Sequence, residues 1–209
     1  PKDERRMHKV PIPRMGGLAI FLGFIISVLL FVEVDDQMKG ILLGSVIIVV
    51  MGIIDDITPL RASLKFVIQI LAALIPVYYG VQITCISNPN LFSDNPYWNF
   101  GWLSIPITVI WIVGLTNAVN LIDGLDGLAI GVSSISALTM LAIAILVAEP
   151  QVAVIMAALV GACIGFMPYN MNPAKIFMGD TGSTFLGYIL ACITIQGLFK
   201  FYAVISFVV

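Results

Sequence analysis

The chain has 209 residues, 60% of them hydrophobic and 11% charged, with a mean hydropathy of +1.06. A soluble domain carries roughly 25% charged residues, so this balance excludes a soluble globular fold and points to an integral membrane protein. The formal net charge of −2 identifies no partner, three cysteines build no even disulfide framework, and one histidine excludes a His-rich metal site.

Taken in chain order, a basic start with Lys2, Arg5, Arg6, Lys9 and Arg14 leads into the first apolar run, 16–33. A membrane-spanning helix needs about 20 mostly apolar residues. Six further runs follow at 40–54, 64–80, 102–118, 128–148, 151–168 and 183–199, and another begins near Phe201. All are predicted as helices, because backbone polar groups find no water in lipid and the runs lack strand-like alternation. The expected fold is therefore all-α: a polytopic membrane helical bundle with seven complete transmembrane helices and the start of an eighth. The chain opens at Pro1 and closes inside the apolar run FYAVISFVV. It reads as one membrane domain over 1–209 and as a fragment of a longer protein.

Successive loops alternate sides. One side receives 1–15, 55–63, 119–127 and 169–182; the other receives 34–39, 81–101, 149–150 and the region of Lys200. Eight of the ten Lys and Arg residues fall on the first side, against Lys39 and Lys200 on the second. That asymmetry predicts a cytoplasmic first side. The 81–101 loop, without Lys or Arg but with Tyr97 and Trp98, reads as an external loop in the aromatic belt.

This sorting explains where the acids sit. A charge at the bilayer centre costs at least ~2.5–3.5 kcal/mol, yet Asp55, Asp56, Asp123, Asp126 and Asp180 all fall in the cytoplasmic loops. There they incur no mid-bilayer cost and can converge.

In GIIDDITPLRASLK, adjacent Asp55 and Asp56 should repel unless a cation such as Arg61 or Lys65 stands beside them. The external doublet Asp35–Asp36 is the contrasting case, with no partner motif. In NAVNLIDGLDGLA, Asp123 and Asp126 are spaced to share one helical face. Gly124 and Gly127 clear bulk beside them, and Asn117 and Asn120 add amides. In NMNPAKIFMGDTGS, which opens at Asn170, Asp180 with Thr181 reads as a self-capped helix N-terminus, an end that also suits anions. Carboxylates and amides without His or Cys clusters point to a hard cation, Mg²⁺ or Mn²⁺. Lys9, Arg61, Lys65 and Lys175 beside the acids suggest a polyanionic substrate. Acid, cation and metal at a membrane edge fit phosphoryl transfer between a soluble nucleotide and a lipid phosphate. An ion or proton pathway would need acids in the middle of spans, and none lies there. The CDP-alcohol phosphotransferases need an Ala-Arg after DG, whereas DGLDGLA continues with Ile130 and Gly131.

DERRMHKVPIPRMGG, GIIDD with its following LK, NAVNLIDGLDGLA and NPAKIFMGDTGS stand in the order found in one family. On these motifs the chain resembles the polyprenyl-phosphate N-acetylhexosamine-1-phosphate transferases, in their TagO/WecA branch rather than the MraY branch. The resemblance implies transfer of N-acetylglucosamine 1-phosphate from a UDP-sugar to undecaprenyl phosphate. UMP is released, in the first membrane step of a teichoic-acid-type cell-wall or surface polymer. The alternative within the family is the phospho-N-acetylmuramoyl-pentapeptide transferase of peptidoglycan synthesis. The resemblance implies catalytic Asp55, Asp56, Asp123 and Lys65, with Asp180 as the Mg²⁺ ligand. Substrate contacts would come from Asn120, Asp126, Phe177, Lys9 and Asn170, with Phe177 offering a face for uracil. Direct attack and a covalent intermediate on Asp123 are both compatible. The implied partners are a UDP-N-acetylhexosamine, a polyprenyl phosphate and the bilayer, with no nucleic acid; a homodimer is admissible. The implied location is the bacterial plasma membrane. A preceding helix, and later helices with a His-containing cytoplasmic loop, are expected outside the sequence.

Overall fold

The structure, a computed structural model, describes residues 13–87 and 97–208, with only the helical backbone over 198–208. Among the described residues there are seven α-helices: α1 (Gly16–Phe31), α2 (Asp36–Ile57), α3 (Ala62–Tyr78), α4 (Ser104–Ile122), α5 (Leu128–Leu146), α6 (Pro150–Asn170) and α7 (Gly179–Val208). α2, α5, α6 and the segment Gly101–Ile122 are each long and apolar enough to cross a membrane, while α1 and α3 are shorter apolar helices.

α7 is the axis of the bundle. Every residue from Thr181 to Ile193 is buried, and α1, α2, α4 and α5 pack around it. Lipid tails are as apolar as leucine, so helices associate here by close packing and hydrogen bonds rather than by escape from water. The packing is visible where Phe185 of α7 meets Phe21 and Phe24 of α1 edge-on, with ring centroids 5.3 and 5.6 Å apart. Outward-facing positions remain apolar, as at Leu30, Ile110 and Leu146, which marks helices surrounded by hydrocarbon on one side and protein on the other.

Several polar groups inside the bundle are locally satisfied. Thr108, Thr116 and Ser134 each donate to the carbonyl four residues earlier. Asn117 of α4 donates to the Gln69 side chain of α3 at 2.6 Å.

Loop sides follow the alternation expected from the sequence. At one end Gln37 reaches the Gly80 carbonyl, and Gln151 reaches Glu33 and Asp35; the acidic motifs gather at the other. Two features go beyond or against the expectations. Within the 81–101 loop, β1 (Cys85–Ser87) pairs antiparallel with β2 (Tyr97–Asn99), with Ile86 opposite Trp98. The backbone here has left its helices, so its amides pair with each other. Ser104 and Thr108 of α4 then tie Ile83 down. Secondly, the segment from Phe201 starts no separate helix. α7 runs unbroken through it to Val208, since LFKFYAVISF contains no Gly or Pro to end a helix.

Candidate active site

The acidic end is assembled by a backbone strap between the start of α1 and the segment entering α7. The first amides of a helix lack partners within it. In α1 those of Gly16 and Gly17 donate to the carbonyls of Phe177 and Met178 at 3.1 and 2.9 Å, and Phe177 N–H returns a bond to the Pro13 carbonyl at 2.9 Å. This docking needs bare backbone. A Cβ on Gly17 would collide with the backbone of Gly182 in α7. Gly179 sits at φ +73°, and a Cβ there would lie 2.6 Å from an Asp56 carboxylate oxygen. The glycines of PRMGG and FMGDTGS are thus the two halves of one contact.

Asp56, at the end of α2, caps α7 from outside. Its Oδ1 accepts the Asp180 amide at 2.9 Å; its Oδ2 accepts the Thr181 amide and hydroxyl at 3.0 and 2.6 Å. This corrects the expected self-cap by Asp180 or Thr181. It also removes the expected anion site, because the positive end of α7 already faces a resident carboxylate.

Asp55 points elsewhere. Its Oδ1 accepts the Leu60 amide at 2.7 Å, closing the α2–α3 turn, and its Oδ2 lies 2.6 Å from Lys65 Nζ. The same ammonium stands 2.7 Å from Asp180 Oδ2. The doublet's repulsion is relieved by division of labour: Asp56 takes helix amides, while Asp55 shares a lysine with Asp180.

Asp123 and Asp126 do not share a helical face. α4 ends at Ile122, Asp123 is its C-cap, and 123–127 form turns before α5. The glycines that clear space also stop the helix. The turn is clamped to the loop after α6: Ala174 N–H donates to Asp126 Oδ2 at 3.0 Å, and Gly127 N–H donates to Asn170 Oδ1 at 3.3 Å. Asn170 in turn donates to the Ile176 carbonyl at 3.0 Å. Burial, reinforced by the charges of Asp180 and Asp56, pushes the Asp123 carboxyl up to about 7.

These pieces enclose a cavity of about 360 Å³ lined by Arg14, Asp56, Asp123, Asp126, Asn170, Phe177 and Asp180, with Gly124, Leu125 and Gly179. Six side chains singled out from the sequence therefore meet. Asp55 and Lys65 do not line the cavity but hold Asp180 from behind. Asn120 is not in the wall either; it donates to Ser183 at 2.8 Å and braces α4 against α7. Lys175 is exposed and off the cavity, and Lys9 lies outside the described residues. Sequence reading counted Arg14 only as a loop charge. Its position immediately before the glycines that dock α1 on 177–179 was the signal for a place in the wall.

Among the described residues no three His, Cys, Asp or Glu side chains stand close enough to cage a metal ion. The donor set still fits Mg²⁺, which takes one or two carboxylates and completes its shell with water and substrate phosphates. Asp180 and Asp123 are the carboxylates available for it, since Asp56 is committed to α7.

The model of glycosyl transferase family 4 matches residues 38–198. A probable undecaprenyl-phosphate N-acetylglucosaminyl 1-phosphate transferase of Bacillus subtilis is 42% identical over 208 residues, covering 99% of this chain and 57% of that protein. A decaprenyl-phosphate N-acetylglucosaminephosphotransferase of Mycobacterium tuberculosis is 38% identical over 90% of this chain and 50% of its own length. A phospho-N-acetylmuramoyl-pentapeptide-transferase of Heliobacterium modesticaldum is 39% identical over 93% of this chain and 63% of its own. The chain thus spans between about half and two thirds of the length of these curated relatives.

Proposed function

The chain belongs to glycosyl transferase family 4, and from that premise we propose that the protein transfers N-acetylglucosamine 1-phosphate from UDP-N-acetylglucosamine to undecaprenyl phosphate. The observation that carries this reading is the convergence of Asp56, the Asp123–Asp126 turn and Asp180, from three segments far apart in the chain, on one cavity at the end of an apolar bundle. A nucleotide can enter such a cavity from water while a lipid phosphate reaches it from the bilayer.

In the reaction an oxygen of the lipid phosphate attacks the sugar-bearing phosphorus of the donor. The bond from that phosphorus to the bridging oxygen breaks, and the bridging oxygen leaves with UMP. The acceptor phosphate meets Asp55 and Lys65 behind Asp180, outside the cavity wall, where Asp55 orients it or takes its proton and Lys65 offsets its charge. Asp56 acts through α7, holding Asp180 in place. Asp180 and Asp123 would hold Mg²⁺, which when bound neutralises charge developing on the diphosphate oxygens. Phe177 offers its ring to the uracil, and Asp126 and Asn170 shape the nucleoside side of the cavity. The eight-to-two distribution of Lys and Arg supports a cytoplasmic position for the loops bearing the site, and the likeness to bacterial relatives supports a bacterial plasma membrane. The product would open a teichoic-acid-type or related surface polymer.

The test is UMP release and lipid-linked product formation by the full-length protein in nanodiscs, with undecaprenyl phosphate and Mg²⁺. UDP-N-acetylglucosamine is expected to turn over. Turnover only with a UDP-N-acetylmuramoyl-pentapeptide donor would replace the sugar assignment, and folded protein inert toward both would refute the reaction.

A further inference from the structure

We infer that Arg14 binds the diphosphate of the nucleotide-sugar donor, a role that rests on the transferase reading above. Two other positive features of this end are already engaged, and Arg61 and Lys175 do not line the cavity. The N-terminus of α7 faces Asp56, and the Lys65 ammonium sits between Asp55 and Asp180. Among the described residues Arg14 is the one Lys or Arg in the cavity wall, where it stands with four carboxylates. No hydrogen bond or ion pair engages its guanidinium among the described residues, and the residue is exposed. An acid-lined cavity repels a diphosphate unless a cation meets it, and a guanidinium fork matches two phosphate oxygens at once.

Position selects the donor over the lipid. The backbone around Arg14 is held by the Phe177-to-Pro13 bond and by the Gly16 and Gly17 bonds to 177 and 178. Arg14 and Phe177 are therefore held by one hydrogen-bonded strap in the wall of one cavity. A flat ring beside a fixed cation suits a base joined to phosphates. Pro13, Arg14 and Met15 are all exposed at the open end of α1, the direction from which a soluble ligand arrives.

The test compares full-length wild type with Arg14→Gln, Arg14→Lys and, as a charge control, Lys39→Gln at the opposite end. Calorimetry with UDP and with uridine is followed by steady-state kinetics. Arg14→Gln is expected to weaken UDP binding by roughly ten- to a hundredfold, leaving uridine binding unchanged. It should raise the donor KM by a similar factor, with the acceptor KM and kcat within a few-fold of wild type. Arg14→Lys should fall between, keeping charge without the fork, and Lys39→Gln should match wild type. Unaltered UDP affinity in Arg14→Gln, parallel loss of uridine binding, or a rise confined to the acceptor KM would each overturn the assignment. Wild-type protein that binds UDP but turns over no sugar donor would instead refute the reaction while leaving the Arg14 result readable.

Discussion

Asp56 holds the amide of Asp180 at 2.9 Å, across 124 residues of sequence. The carboxylate at the end of α2 thereby sets where α7 begins, and with it the direction in which Asp180 faces the cavity. Removing a helix cap costs about 0.5–2 kcal/mol. Asp56→Ala should lower the thermal midpoint of the full-length protein and abolish turnover. Thr181→Val, which deletes one of the three bonds, should show a smaller fall in midpoint. Differential scanning fluorimetry beside the UMP assay reads both, and an Asp56→Ala protein melting with wild type would remove the cap from the account.

Lys65 has a separate duty. Without its ammonium, Asp55 and Asp180 would face each other in a partly buried space, their side chains only 9% and 30% exposed. Lys65→Met is expected to lower both the melting temperature and turnover. Adding Asp55→Asn should restore the melting temperature, because the repulsion is gone, but not turnover. A double variant no more stable than Lys65→Met would show that repulsion is not the cause.

The Asp123 carboxyl, raised from 3.8 to about 7 by burial and by the charges of Asp180 and Asp56, carries a pH signature. Between those values the folded protein keeps a proton that the unfolded chain has released. Stability linked to this group is therefore greatest at low pH and declines as pH rises through the window, until the folded group has also ionised. In divalent-free buffer, the infrared carboxyl band assigned to Asp123 by its loss in Asp123→Asn should titrate near pH 7. In Asp180→Asn the midpoint should move down. A midpoint near 4 in wild type would contradict the burial and charge described here.

Asp180→Asn should reduce turnover by roughly a hundredfold or more, as expected when charge stabilisation in the transition state is removed. Asp36→Asn is the matched control: its side chain is 80% exposed and, among the described residues, pairs with Lys39 on the opposite end. Exposed pairs contribute about 0–1 kcal/mol, so activity and melting should both stay at wild-type values. If the two variants behaved alike, the separation of the two ends would have no functional meaning.

Much of this architecture was legible in the sequence because it rests on local quantities. Run length and hydropathy mark helices wherever they fold, and the alternation of loops then placed Asp55, Asp56, Asp123, Asp126 and Asp180 at one end without any knowledge of packing. Even the cation beside the doublet was foreseeable, since Lys65 lies a few turns on from Asp55. The turn at 123–127 was misread because Asp123 and Asp126 have helical spacing, while the neighbouring glycines decide whether a helix continues through them.

What only the tertiary structure decided are the partnerships between elements distant in the chain. Asp56 and Asp55 are adjacent and chemically identical, yet one caps α7 and the other anchors Lys65. That difference arises from the angle at which α2 meets α7, which close backbone contacts such as Gly52 against Thr181 help to set. Arg14 belongs to the cavity, and Asn120 stands behind it, for the same reason. Composition determines that a segment enters the membrane, but which faces meet depends on steric fit between surfaces that are equally apolar.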